Sequence, residues 1–101
     1  MKTLLFAGAV MFAFGAQAAT PEESLKAAGC TACHSVDKKL VGPSYKVVAE
    51  KYKGKDATAD LIQKVRKGGS GVYGPIPMPP NPPEKINDAD LKAVVEWIQK
   101  L

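Results

Sequence analysis

After residue 18 this 101-residue chain contains no phenylalanine, and from there on it holds one tryptophan (Trp97), one histidine (His34) and one methionine (Met78). It has only two cysteines, Cys30 and Cys33. Each scarcity excludes something. One domain's worth of residues excludes a multidomain enzyme, and so few large apolar side chains make a marginal core. With two Cys and one His, a structural zinc site runs short of its four ligands. No apolar stretch reaches the roughly 20 residues of a membrane-spanning helix. No alternating apolar–polar run is long enough for a sheet, which leaves an all-α chain without internal repeats. What replaces the missing core is the question the sequence poses.

The apolar residues that do exist are unevenly spread. The first 18 positions carry all three Phe and a single charge, Lys2, followed by an apolar run from Leu4 to Phe14 and the triplet Ala16-Gln17-Ala18. Basic start, apolar stretch and A-x-A are the order of a secretory signal peptide. Residues 1–18 are therefore expected to be a leader cut after Ala18, with residues 19–101 as the mature domain. An uncleaved anchor is the rival, and Leu4 to Phe14 is short for one. Export places the chain in an oxidising compartment, where two cysteines would ordinarily suggest a disulfide.

Four short helices are expected. Thr20-Pro21-Glu22-Glu23 reads as a cap, a proline at the first helical position and a capping-box glutamate. That helix carries Leu25, Ala28 and Ala32 and is expected to run to the Cys30–Cys33 region, weakened by Gly29. A second spans Ser44 to Tyr52 with Val47, Val48 and Tyr52 inward, and a third runs from about Thr58 to Lys67 with Leu61, Ile62 and Val65 on one face. The last is capped by Asn87 or Asp88 and has Leu91, Val94, Val95, Ile98 and Leu101 in one stripe. Between the last two lies Gly74-Pro75-Ile76-Pro77-Met78-Pro79-Pro80-Asn81-Pro82-Pro83, with six of the chain's eight prolines. It is neither helix nor interior strand, and it is stiff before folding begins.

Cys30-Thr31-Ala32-Cys33-His34 is C-x-x-C-H, the attachment signature of c-type haem. Two thiols at this spacing reach the two vinyl groups of one porphyrin edge, and the next residue lies beneath the macrocycle, where its imidazole can bind iron. A thioredoxin-like redox pair would want a βαβ setting that is absent, and a disulfide closing so short a loop staples little. The mature chain offers one His and one Met. If both axial positions of the iron are filled by these residue types, His34 takes one and Met78 the other. A lone Met is more often a core filler, but a core filler has no reason to sit in a proline strap. Pro77-Met78-Pro79-Pro80 as a PxxP ligand is a weaker alternative.

With these pieces placed, the sequence resembles the small bacterial class I cytochromes c of the 551/552 type across the whole mature chain. The resemblance is carried by the C-x-x-C-H motif, Leu40-Val41-Gly42-Pro43, Gly71-Val72-Tyr73-Gly74-Pro75-Ile76-Pro77-Met78-Pro79-Pro80-Asn81 and Val95-Glu96-Trp97-Ile98. It implies a four-helix fold around one covalently bound haem c, and periplasmic electron carriage by a monomer. It also implies that the Pro43 carbonyl accepts the His34 Nδ1 proton, that Asn81 hydrogen-bonds near the Met78 sulfur and that Tyr73 approaches a haem propionate. Trp97 should pack against the first helix. Many relatives carry Trp where Tyr73 stands, and the turn Gly68-Gly69-Ser70-Gly71 looks one residue short. Which of Lys64, Arg66 or Lys67 reaches a propionate is left open.

An iron with both axial sites full has no vacancy for oxygen or peroxide, so the expectation is an electron carrier and not an enzyme. A haem enzyme or sensor with an open iron, and a thiol–disulfide oxidoreductase using Cys30 and Cys33, are the competing classes. Methionine ligation would raise the reduction potential. The formal charge of +4, one unit of it from Lys2, is a weak footprint for nucleic acid. Lys38, Lys39, Lys46, Lys51, Lys53, Lys55, Lys64, Arg66 and Lys67 fall between His34 and Met78, and some should ring an exposed haem edge and steer acidic redox partners. Such partners would be a terminal reductase or oxidase and an upstream cytochrome or copper protein. A solvated face without function is the plain alternative.

Overall fold

The computed structural model describes residues 19–101, so the leader expected at residues 1–18 lies outside the described residues. Four helices follow in chain order: α1 (Pro21–Ala27), α2 (Tyr45–Lys51), α3 (Thr58–Lys67) and α4 (Asp88–Gln99), with a short 3-10 turn at Cys30–Ala32 between the first two. No strand occurs among the described residues, and none of their helices is long and apolar enough to cross a membrane.

Local chemistry sets the helix starts. Thr20 Oγ1 accepts from the Glu23 N–H at 3.2 Å with Pro21 at the first helical position. Ser44 Oγ accepts from Val47 N–H at 3.2 Å, and Asn87 Oδ1 from Asp90 N–H at 2.8 Å. Each satisfies an N–H that the first turn leaves without an intrahelical partner. Helix α3 is capped from elsewhere. Its Ala57 N–H donates to Gln99 Oε1 at 2.8 Å, and Gln99 Nε2 donates to Thr58 Oγ1 at 2.9 Å, so the end of α4 supplies the cap.

Two expectations are corrected. Helix α1 stops at Ala27 and does not run into the cysteines, because Gly29 takes φ +81°. That left-handed residue turns the chain and releases Cys30–Ala32 as a separate 3-10 turn. In α2 the inward residues are Tyr45 and Ala49, with Val48 and Tyr52 partly buried, whereas Val47 is 51% exposed. Tyr45 fills the inward position of the first turn, which rotates Val47 out to solvent. Leu101 is also exposed, just past the end of α4.

The core is built on α4. Leu91, Val94, Val95 and Ile98 are all buried and meet Leu25 and Ala28 from the first helix region, Tyr45 from α2, and Ala57 and Leu61 from α3. Helix α4 therefore touches all three other helices. Leu91 and Val95, at i and i+4, are the most deeply buried side chains.

Candidate functional site

Beside this core the helices and loops border a cavity of about 350 Å³. Cys30, Cys33, His34, Pro43, Tyr73 and Met78 all line it, with Leu61, Val65, Leu91, Val94, Val95 and Ile98 behind them. The residues singled out by sequence thus meet at one place, Asn81 excepted.

One side of the cavity is the segment Cys30–Tyr45. His34 Nδ1 lies 2.8 Å from the Pro43 carbonyl oxygen. A carbonyl only accepts, so Nδ1 carries the proton and Nε2 is left with the lone pair needed to bind a metal. The ring is held on two further sides. Tyr45 stacks on it with centroids 5.4 Å apart, and a Cβ at Gly42 would collide with the imidazole itself. Gly42 N–H also donates to the Cys33 carbonyl at 2.7 Å, folding the loop onto the cysteine pair.

Both cysteines are free thiols and partly buried. Burial pushes the Cys30 thiol upward, with Lys85 opposing it weakly. A catalytic redox thiol needs the opposite shift, toward thiolate.

The other side is the proline strap. Gly69 and Met78 pair as a two-way antiparallel rung: Gly69 N–H donates to the Met78 carbonyl at 3.0 Å, and Met78 N–H to the Gly69 carbonyl at 2.8 Å. The main chains approach so closely that a Cβ on Gly68 would strike the Met78 carbonyl oxygen. Asn81 stands behind the strap. Its Nδ2 donates to the carbonyls of Val65 (3.2 Å) and Pro79 (3.0 Å), and its N–H to Val65 O at 3.1 Å. Both amide hydrogens are thus spent on main-chain oxygens, one of them that of Pro79, next to Met78.

Other sequence-derived positions can also be placed. Tyr73 is half-exposed at the cavity mouth under Lys51, whose Nζ lies 5.8 Å from the ring centroid. Lys64 lines the cavity, whereas Arg66 turns away to Asp88, which removes Arg66 from the expected ring of free cations. Trp97 packs edge-on to Tyr45 of α2 at 6.1 Å. Sequence reasoning missed Tyr45 and Gln99, and read Arg66 as a surface cation or propionate contact. Tyr45, immediately after the Gly42-Pro43-Ser44 break, offered the best signal, since an aromatic in the first turn of a helix next to a histidine loop has few places to go.

The residues present fit a haem. The cavity wall is mostly aliphatic, the two thiols sit at its edge with the turn-borne spacing their attachment needs, and the imidazole nitrogen left free belongs to a ring that lines it. The Tyr45 hydroxyl is buried without a hydrogen-bond partner among the described residues. Burial also raises its pKa, so it remains a neutral phenol. Among the described residues no cluster of His, Cys, Asp and Glu makes an alternative metal site.

The comparisons agree with this geometry. The family model for cytochrome c matches residues 19–101. The chain is 51% identical over 83 residues to cytochrome c2 of Rubrivivax gelatinosus, covering 81% of this chain and 98% of that protein. It is 44% identical to cytochrome c-551 of Pseudomonas aeruginosa over 95 residues, covering 93% and 88%. The crystal structure of Nitrosomonas europaea cytochrome c552 superposes with a TM-score of 0.73 at 46% identity, covering 79% of this chain and 98% of that one. The chain belongs to the cytochrome c family, among the small haem c electron carriers of the c-551/c-552 type.

Proposed function

We propose that the protein is a periplasmic one-electron carrier whose haem c is bonded through Cys30 and Cys33 and ligated by His34 Nε2 and the Met78 sulfur. The observation that carries this reading is the convergence of those four residues on one cavity, with His34 Nδ1 engaged by Pro43 and Nε2 left free. When bound, haem supplies reversible ferric–ferrous chemistry. The chain's own contribution is to hold a donor on each face, exclude water with an aliphatic wall and fix the imidazole orientation through Pro43 and Tyr45. With both faces taken, no position is left for a substrate, so the protein is not an enzyme. Pro43 acts through His34, Asn81 through the strap backbone, and Tyr73 with Lys64 stands where propionates would lie.

Partners dock at the cavity mouth. Val41, Val72, Tyr73 and Ile76 line the cavity and remain substantially exposed, Ile76 at 61%. An apolar rim of this kind sheds water when a partner covers it. Basic side chains around it, Lys39 and Lys64 among them, steer acidic redox proteins such as a terminal reductase or oxidase, or an upstream cytochrome or copper protein. The protein acts as a monomer, binds no nucleic acid, and reaches the periplasm by a leader cut after Ala18.

The test is an optical spectrum of the purified protein and of Met78→Ala. A sharp reduced α-band with a weak ferric sulfur-to-iron band is expected, and its loss in Met78→Ala with cyanide or imidazole taking the vacated position. A colourless protein with titratable thiols would instead establish a thiol–disulfide oxidoreductase. An intact mass beginning at Ala19 is expected of the exported chain, and an uncut chain would overturn the leader.

A further inference from the structure

We infer that Arg66 is a positioning residue for Met78, locking the far end of the proline strap to α3 and α4 and so setting how firmly the strap stays on the iron. This rests on the reading of Met78 as an iron ligand. Pro75, Pro77, Pro79, Pro80, Pro82 and Pro83 have no N–H, so the strap makes few backbone bonds of its own and must be held by donors from outside. On the near side of Met78 that donor is Gly69. On the far side Arg66 provides three bonds from one guanidinium. Nη1 donates to the carbonyls of Asn81 (3.1 Å) and Ile86 (2.8 Å), and Nη2 to Asp88 Oδ1 at 2.6 Å.

The Asn81 carbonyl belongs to the strap itself and the Ile86 carbonyl to the irregular segment between strap and α4, both outside any helix. The Arg66 side chain is only 16% exposed while that of Asp88 is 90% exposed. The buried part of the fork therefore faces the main chain, and the ion pair faces water, where such pairs contribute little. A planar guanidinium can serve these acceptors together, and a lysine ammonium reproduces only part of the pattern. Arg66 also sits two residues before Gly68, the point where α3 ends against the Met78 carbonyl. The strap thus hangs by both ends from the last turn of one helix.

The experiment is imidazole titration of the ferric, haem-bearing protein. Exogenous imidazole binds only the fraction of molecules whose methionine is off the iron, so apparent affinity rises as that fraction rises. Losing two charge-assisted bonds to carbonyls corresponds to roughly tenfold or more, so Arg66→Met should bind imidazole at least about tenfold more tightly. Arg66→Lys should fall between the two, and Asp88→Asn should stay within about twofold of the parent. Gln99→Ala removes two bonds at the other end of α3 and supplies a control that loses thermal stability without touching the strap.

An Arg66→Met whose imidazole affinity moves no more than that of Gln99→Ala would overturn the inference. If Arg66→Met does not fold, Arg66→Lys carries the same test, and an affinity equal to the parent's would count against it. Met78→Ala separates the two levels. Unchanged ferric spectra in that variant would defeat the ligand reading itself, whereas a changed spectrum with an unmoved Arg66 series defeats only the role of Arg66.

Discussion

The two walls of the cavity proposed to hold the haem are built on different plans. The His34 side is local: the cysteines, the histidine, its Pro43 acceptor and the Tyr45 stack all fall within Cys30–Tyr45, and each holds the ring through a contact a few residues away. The Met78 side is assembled over distance. Its strap is pinned to Gly69, Val65 and Arg66 across the end of α3, and within the strap the side-chain bond from Asn81 to the Pro79 carbonyl adds one hold. The difference teaches that a ligand on a stiff but self-unsatisfied segment inherits its position from whatever donors surround it. A ligand in a tight loop carries its own supports.

The comparison can be broken at several points. The largest effect should come from removing the haem, which both walls share. A domain of this size with an empty cavity has too little core to offset its chain entropy, so the haem-free protein should lose its helical signal in circular dichroism. A cooperative apoprotein melt would show instead that the walls stand alone. Next come the two glycines, one per wall. Gly68→Ala meets main chain and also forces a side chain at φ +67°, costing about 3 kcal/mol. Gly42→Ala meets only the imidazole, costing about 2 kcal/mol. Denaturant unfolding should rank them in that order, and only Gly42→Ala should disturb the hyperfine-shifted signals of His34.

Legibility followed the same division. The C-x-x-C-H motif and all four helices could be read because each depends on neighbours in sequence, such as the caps at Thr20 and Asn87 and the apolar stripe of α4, whereas Pro43 came from the family resemblance. Asn81 was found, but its partners were not, because Val65 and Pro79 offer it backbone carbonyls that no side-chain pattern advertises. Arg66 read as one more surface cation for an equivalent reason. Gly29 was legible as a weakness in α1, but not as its end, since only the adopted φ turns a tolerated glycine into a terminator.

Smaller effects sharpen the contrast further. Asn81→Ala takes the donor from the part-buried Pro79 carbonyl and one of two Asn81 donors from that of Val65, which should cost about 1–2 kcal/mol and raise imidazole affinity as well. On the opposite wall, Ser44→Ala removes a helix cap beside His34 and should cost about 1 kcal/mol with imidazole affinity unchanged. The smallest change is Tyr45→Phe. Its hydroxyl makes no hydrogen bond, so the variant should lie within about 1 kcal/mol of the parent in thermal unfolding, and a larger loss would reveal a partner supplied by the bound haem.

The packing of α1 on α4 has a consequence for the life of the chain before it works. Helix α1 rests on α4, the last of the described helices, and Leu25 and Ala28 share one buried cluster with Leu91, Val94, Val95 and Ile98. Closing so long an intervening stretch costs chain entropy that grows slowly with its length, but nothing offsets that cost until the far end arrives. A chain that lacks α4 therefore leaves α1, α2 and α3 without the helix they all touch, and the fold closes only once α4 is in place.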